Sequence, residues 1–194
     1  MKLLLPTFLL LLISANAMAI TQINIDARGK DHFQGYSFAA PYKKTTNAYL
    51  DLGENLSNKT VRIAAKDGAN FKVQIQLETS LTIMDEGPHL DLINWKHCTT
   101  EWREVEKISG SEFILPVLEK INVDCFPNVT AAEIRAEALK LGGERWANLI
   151  KQDASINDYP LSTALSLVRI KIEEKISGEW QTITVLHFSI PMGC

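Results

Sequence analysis

The stretch that most restricts the fold is Phe71–Leu77, where Phe71, Val73, Ile75 and Leu77 alternate strictly with Lys72, Gln74 and Gln76. A period of two places successive side chains on opposite sides of an extended backbone. The stretch therefore reads as a strand with one face in a core and the other towards water. The same period returns near the end of the chain, where Val168, Ile170 and Ile172 alternate with Arg169, Lys171 and Glu173. Ser177-Gly178 supplies a turn, and Trp180–Ile190 runs back. Leu186, Phe188 and Ile190 lie on one side of that strand, with Ile183, Val185 and His187 on the other. This predicts a second hairpin whose return strand, partly apolar on both sides, sits centrally or in a barrel wall.

Other segments follow the pattern. Val61, Ile63 and Ala65 precede the turn Lys66-Asp67-Gly68-Ala69-Asn70, so Val61–Leu77 is expected to be a β-hairpin. Ile20–Ala27 carries Ile23, Ile25 and Ala27 in alternation, a first strand. Pro41 confines the aromatic stretch Tyr36–Tyr42 to an edge, and Leu81–Met84 extends the sheet until Asp85-Glu86-Gly87-Pro88 breaks it. Short apolar pieces between Leu90 and Pro116 are separated by turns, as in a sandwich or barrel. One helix interrupts the strands. Thr130-Ala-Ala-Glu133 has the form of a capping box, Ile134, Ala138 and Leu141 recur at helical spacing, and Gly142-Gly143 can end the helix. Glu144–Lys151, with Trp146, Leu149 and Ile150, reads as a second helical piece. The fold expected is mainly β (α+β), an antiparallel sandwich or barrel-like domain with one helical insertion near 131–151.

Residues 1–19 have a different character. Lys2 precedes an apolar run from Leu3 to Ile13, and Ala17-Met18-Ala19 has the A-x-A form of a signal-peptide cleavage site. The run is too short for a membrane span, which needs about 20 residues, and nothing later approaches that length. Cleavage after Ala19 would leave one exported β-rich domain, Ile20–Cys194, in the periplasm or secreted. Without Lys2, its 19 basic and 23 acidic side chains are dispersed, so no nucleic-acid footprint is expected. Asn55-Leu-Ser57, Asn58-Lys-Thr60 and Asn128-Val-Thr130 match the glycosylation acceptor pattern, which matters only in a eukaryotic secretory path.

Three cysteines, Cys98, Cys125 and Cys194, allow one bridge and a leftover thiol in an oxidising compartment. All three pairings are arithmetically open. There is no CxxC, so thioredoxin-like redox chemistry is not expected.

The densest set of reactive side chains is Asp85-Glu86-Gly-Pro-His89-Leu-Asp91-Leu-Ile-Asn-Trp95-Lys-His97-Cys98. His89 and Asp91 share a face of any strand, and His97 joins them if the strand is regular. Imidazole plus carboxylate suits zinc, so His89, Asp91 and His97 form a candidate metal set for a metal-dependent hydrolase. A regular strand over that length spans about 27 Å, so convergence requires a turn between Asp91 and His97. No G-x-S-x-G elbow is present, and catalytic residues are otherwise unassigned. Asp85, Glu86, Trp95 and Trp180 are candidate binding residues, Trp180 because it opens a strand just after a turn. The principal expectation is a non-enzymatic exported protein without a cofactor, binding a protein or another envelope component. A zinc site is the alternative, and a fimbrial subunit ranks third.

Overall fold

The computed structural model describes residues 19–26, 34–118, 125–156 and 158–192. Cys194 and all but the last residue of the predicted signal peptide, 1–19, lie outside the described residues. Among those described, twelve strands form two sheets. The five-stranded sheet has β2 (Tyr36–Ala39) at one edge, then β1 (Ile20–Asp26), β4 (Thr60–Ala65), β10 (Glu112–Ile114) and β9 (Glu106–Ser109). The seven-stranded sheet runs from β3 (Thr45–Tyr49) through β12 (Glu179–Ser189), β11 (Leu161–Ile176) and β5 (Phe71–Met84) to β6 (His89–Asp91). The short strands β7 (His97–Thr99) and β8 (Arg103–Glu104) continue the edge row that β6 begins along β5. Among the described strands only β3 on β12 is parallel; every other described pair is antiparallel.

The long strands β5 and β11 pair from Phe71–Glu174 to Ile83–Leu161, with one register shift between Leu165 and Leu167. Strands of this length twist and coil, which lets one face serve two packing layers. Phe71, Val73, Ile75 and Leu77 pack with Val168, Ile170, Ile172, Leu186 and Phe188 against Ile23, Ile25, Val61 and Phe113 of the five-stranded sheet. Further along the same face, Leu81, Ile83 and Leu161 pack against Ala131, Ile134 and Ala138 of α1 (Ala131–Gly142), together with Leu92 and Ile150. The result is a mainly β, sandwich or barrel-like α+β fold with one curled sheet.

The predicted C-terminal hairpin is β11–β12. The predicted Val61–Leu77 hairpin is not formed. β4 pairs with β1 and β10 while β5 pairs with β11, so the turn at Lys66–Asn70 carries the chain from one sheet to the other. Both strands place their apolar faces in the same core, and facing sheets satisfy that pattern as well as one hairpin does. Similar crossings close the sides. Val105, between β8 and β9, donates from its amide to the Val73 carbonyl at 2.9 Å. On the opposite side Tyr36 and Phe38 of β2 set their rings edge-on to Phe188, with centroids 5.0 and 6.2 Å away.

The helical insertion forms as its caps predict. Thr130 Oγ1 accepts from the Glu133 amide at 3.2 Å, and Glu133 accepts from the Thr130 amide at 2.8 Å. α1 buries Ala131, Ile134 and Ala138, but Leu141 is 51% exposed and does not belong to the buried stripe. α1 is capped at Gly143 and α2 (Glu144–Leu149) starts at once; in α1 it is position 142, not Leu141, that faces Leu90 and Trp146. Gly142 and Gly143 have different reasons. Gly143 adopts a positive φ of 80°. A Cβ on Gly142 would meet Trp146 Cδ1 at 2.4 Å and Leu90 Cδ2 at 2.8 Å, so a bare backbone lets the indole seat there. A disulfide joins Cys98 of β7 to Cys125, Cα atoms 5.2 Å apart, and anchors the segment before α1 to the edge of the large sheet. No helix among the described residues is long and apolar enough to cross a membrane.

Candidate functional site: the outer face of the seven-stranded sheet

The face of the seven-stranded sheet away from both cores carries mostly polar side chains. Its side chains come from the even positions of β5 and, past the register shift between Leu165 and Leu167, the odd positions of β11, the complement of those that fill the core. Cross-strand register groups them in rows. Asn47, His187, Arg169 and Gln76 form one row. Thr45, Val185, Lys171, Gln74 and Glu104 form the next. Thr182, Glu173 and Lys72 follow, then Trp180 opposite Lys175.

Ion pairs run across this face. Arg169 binds Glu78 in an ion pair whose side chains are only 19% and 8% exposed, and its second nitrogen donates to Gln76 Oε1 at 3.3 Å. Lys72 lies 3.0 Å from one Glu173 oxygen and Lys171 lies 3.9 Å from the other. Two indoles lie along the same line. The Lys171 ammonium is 4.6 Å from the Trp102 ring centroid, and Lys72 and Lys175 are 5.2 and 5.9 Å from that of Trp180. Such cation–π contacts hold lysine heads and rings in place. His187, beside Arg169, has its pKa lowered, first by burial and then by the guanidinium, with Glu78 opposing.

The candidate metal residues reach the same face but do not converge. His89, Asp91 and His97 lie opposite Met84, Thr82 and Ser80 of β5. Asp91 Oδ1 accepts from Thr82 Oγ1 at 2.7 Å and from His89 Nδ1–H at 2.9 Å. His97 Nδ1–H donates to its neighbour Trp95 O at 3.2 Å, with Nε2 3.9 Å from Glu78. The two histidines sit opposite positions four apart on β5, roughly 13 Å along the strand. Among the described residues no three His, Cys, Asp or Glu side chains are placed to hold a metal ion.

The remaining candidates separate. Asp85 accepts from Arg145 Nη2 at 2.6 Å and from the Glu86 amide at 2.8 Å, which together hold its carboxyl below the usual range. Glu86 is exposed in the turn before β6. Trp95 packs with the second core beneath the helices. Trp180 stands on the outer face and is 43% exposed. Ser80 is fully buried and spends its hydroxyl on Ser166 Oγ at 2.8 Å, which in turn donates to the Glu78 carbonyl. That chain leaves no activated hydroxyl. Sequence reasoning missed Trp102, Arg169, Glu78 and Lys171 as one surface; the available signal was the alternation of β11, with Arg169, Lys171, Glu173 and Lys175 at every second position.

Besides a cleft of about 540 Å³ between α1 and α2, bordered by Arg135, Leu139 and Glu144, two clefts flank the start of the helical insertion and β2. One of about 480 Å³ lies beside the start of α1, bordered by Phe126, Thr130, Gln152 and Ile156. The other, of about 420 Å³, lies between β2 and β3, bordered by Phe38, Tyr42 and Thr46. Neither concentrates ionisable groups as the outer sheet face does. No family model matches the chain, and no curated protein or solved structure matches it.

Proposed function

We infer that the chain is an exported, non-enzymatic binding protein that engages an envelope component through the outer face of its seven-stranded sheet. The observation that carries this reading is the row of ion-paired side chains between Trp102 and Trp180 on the side of the sheet away from both cores. Pre-paired side chains cost little entropy to fix on binding, and indoles give rigid contact area. Export is supported by the leader-like pattern of residues 1–19 and by the Cys98–Cys125 bridge, since disulfides persist in oxidising compartments.

The test is co-sedimentation of the purified protein with native envelopes. Saturable co-sedimentation, reduced several-fold by Thr182→Arg in the middle of the face and unchanged by Ile108→Ala on β9, is the expected outcome. Retention that ignores Thr182→Arg would contradict the assignment of this face.

A further inference from the structure

Glu174 stands where the alternation of β11 calls for a core residue. It follows Val168, Ile170 and Ile172 on the inner face of the strand and is only 5% exposed. Its cross-strand neighbours, Phe71 of β5 and Gln181 of β12, carry no charge. The nearby lysines belong to the other face: Lys72 pairs with Glu173, and Lys175 lies over Trp180. Among the described residues no cation is within ion-pair distance of Glu174. Both of its oxygens turn instead to one neutral donor, the amide of Ala19, at 3.3 Å each. A carboxylate taken out of water needs an opposite charge or several hydrogen bonds, and one long, shared amide meets that need poorly.

Ala19 is also the residue after which the leader is expected to be cut. We propose that Glu174 is the acceptor for the α-ammonium of Ile20 that leader removal creates. The inference rests on the export reading above and adds what processing does to the fold. Under a leader-cleaving protease, water adds across the Ala19–Ile20 peptide bond. The new carboxylate departs with Ala19, and the new amine on Ile20 takes up a proton at neutral pH.

That nitrogen is the next one along the backbone from the Ala19 amide. Ile20 itself is 1% exposed and held in β1 opposite Ala65, so the ammonium forms within reach of the Glu174 side chain. It brings three donors and a full charge where the precursor offers one amide. The Ala19 carbonyl, which accepts from the Lys66 amide at 3.1 Å, is lost, but Lys66 is exposed and water takes that place. The new pair joins β1 of the five-stranded sheet to β11 of the seven-stranded one, closing one end of the sandwich only in the processed chain. Ala15-Asn16-Ala17 has the A-x-A form too. A chain cut there keeps the Ala19 amide on Glu174 and gains no such pair.

The test uses protein exported with its own leader. Intact mass first identifies the starting residue, which is expected to be Ile20. The α-amine is then labelled at pH 7 with a water-soluble acetylating ester, folded and in urea, and followed by peptide mass spectrometry. An ammonium held by a carboxylate gives up its proton less readily, so the folded chain should label at Ile20 roughly tenfold or more slowly. Glu174→Gln should abolish most of that protection. Glu174→Met, which gives the core-facing position an apolar side chain, should do the same and serves if the glutamine variant does not fold. Equal labelling in folded and unfolded wild type, or protection unchanged in a folded variant, would overturn the proposal. A chain that starts at Met18 would overturn it too, while leaving export intact. Retention of Met1 would remove the export reading and this inference with it.

Discussion

Arg169 of β11 and Glu78 of β5 form an ion pair on the outer face of the large sheet, although 91 residues separate them in the chain. Their side chains are mostly buried, so each charge depends on the other. Removing one partner of such a pair leaves an uncompensated charge, whereas replacing both with apolar groups is close to neutral. Glu78→Gln is expected to cost about 3 kcal/mol, and the double change Glu78→Leu/Arg169→Met less than that. Urea denaturation of the three proteins checks the order; a double variant worse than the single one would contradict it.

His187 sits in the neighbouring position to Arg169, and its pKa is depressed by burial and by that cation. A depressed imidazole pKa means the unfolded chain takes up the proton first. Its contribution to stability is therefore present above the ordinary histidine pKa near 6.5 and is lost as pH falls through the lower folded value. Glu133 acts in the same direction at lower pH, its pKa pulled down to about 2 by the Lys96 and Thr130 hydrogen bonds. The urea midpoint should fall on acidification from pH 7 to pH 5, and His187→Gln should flatten that slope. An identical slope in the variant would remove His187 from the account.

The Cys98–Cys125 bridge spans a sequence separation of 27 and ties the segment before α1 to β7. In the chain-entropy model a loop of this size contributes roughly 3 kcal/mol. A Cys98→Ser/Cys125→Ser variant should lose about that much, and peptide mapping of the oxidised protein should recover the two cysteines as one linked pair. Cys194 linked to either one would refute the pairing.

Gly142 is fixed by packing rather than by backbone geometry. Gly142→Ala forces Trp146 and Leu90 apart and is expected to destabilise by about 1–3 kcal/mol, as overpacking does. Thr130→Ala, at the other end of the helix, removes the cap and should cost about 1 kcal/mol. Thermal denaturation followed by far-ultraviolet dichroism distinguishes them from a neutral Leu141→Ala control. An unaffected Gly142→Ala protein would show that the indole does not seat there.

Local patterns in the sequence carried the strands and the helix. Alternation located β5, β11 and β12, and Thr130 with Glu133 marked the start of α1. What it did not carry was which strand lies beside which. The apolar faces of β4 and β5 fit either a hairpin or two facing sheets, and partners distant in the chain, β1, β10 and β11, decide between them. The outer face was hidden for the same reason. Lys72, Gln74 and Gln76 read as water-facing, and only the register with β11 sets them beside Arg169, Lys171 and Glu173. His89, Asp91 and His97 were grouped by proximity in sequence, yet they spread along the edge of β5.

The central claim is that the outer face of the seven-stranded sheet is the contact surface. It is tested most directly by placing a photoreactive side chain at Thr182 on that face, or at Lys107 on β9, and irradiating cells that export the protein. Adducts to an envelope component at Thr182, absent at Lys107 and competed by excess unlabelled protein, are the predicted result. Adducts at Lys107 alone, or at neither position, would contradict the account.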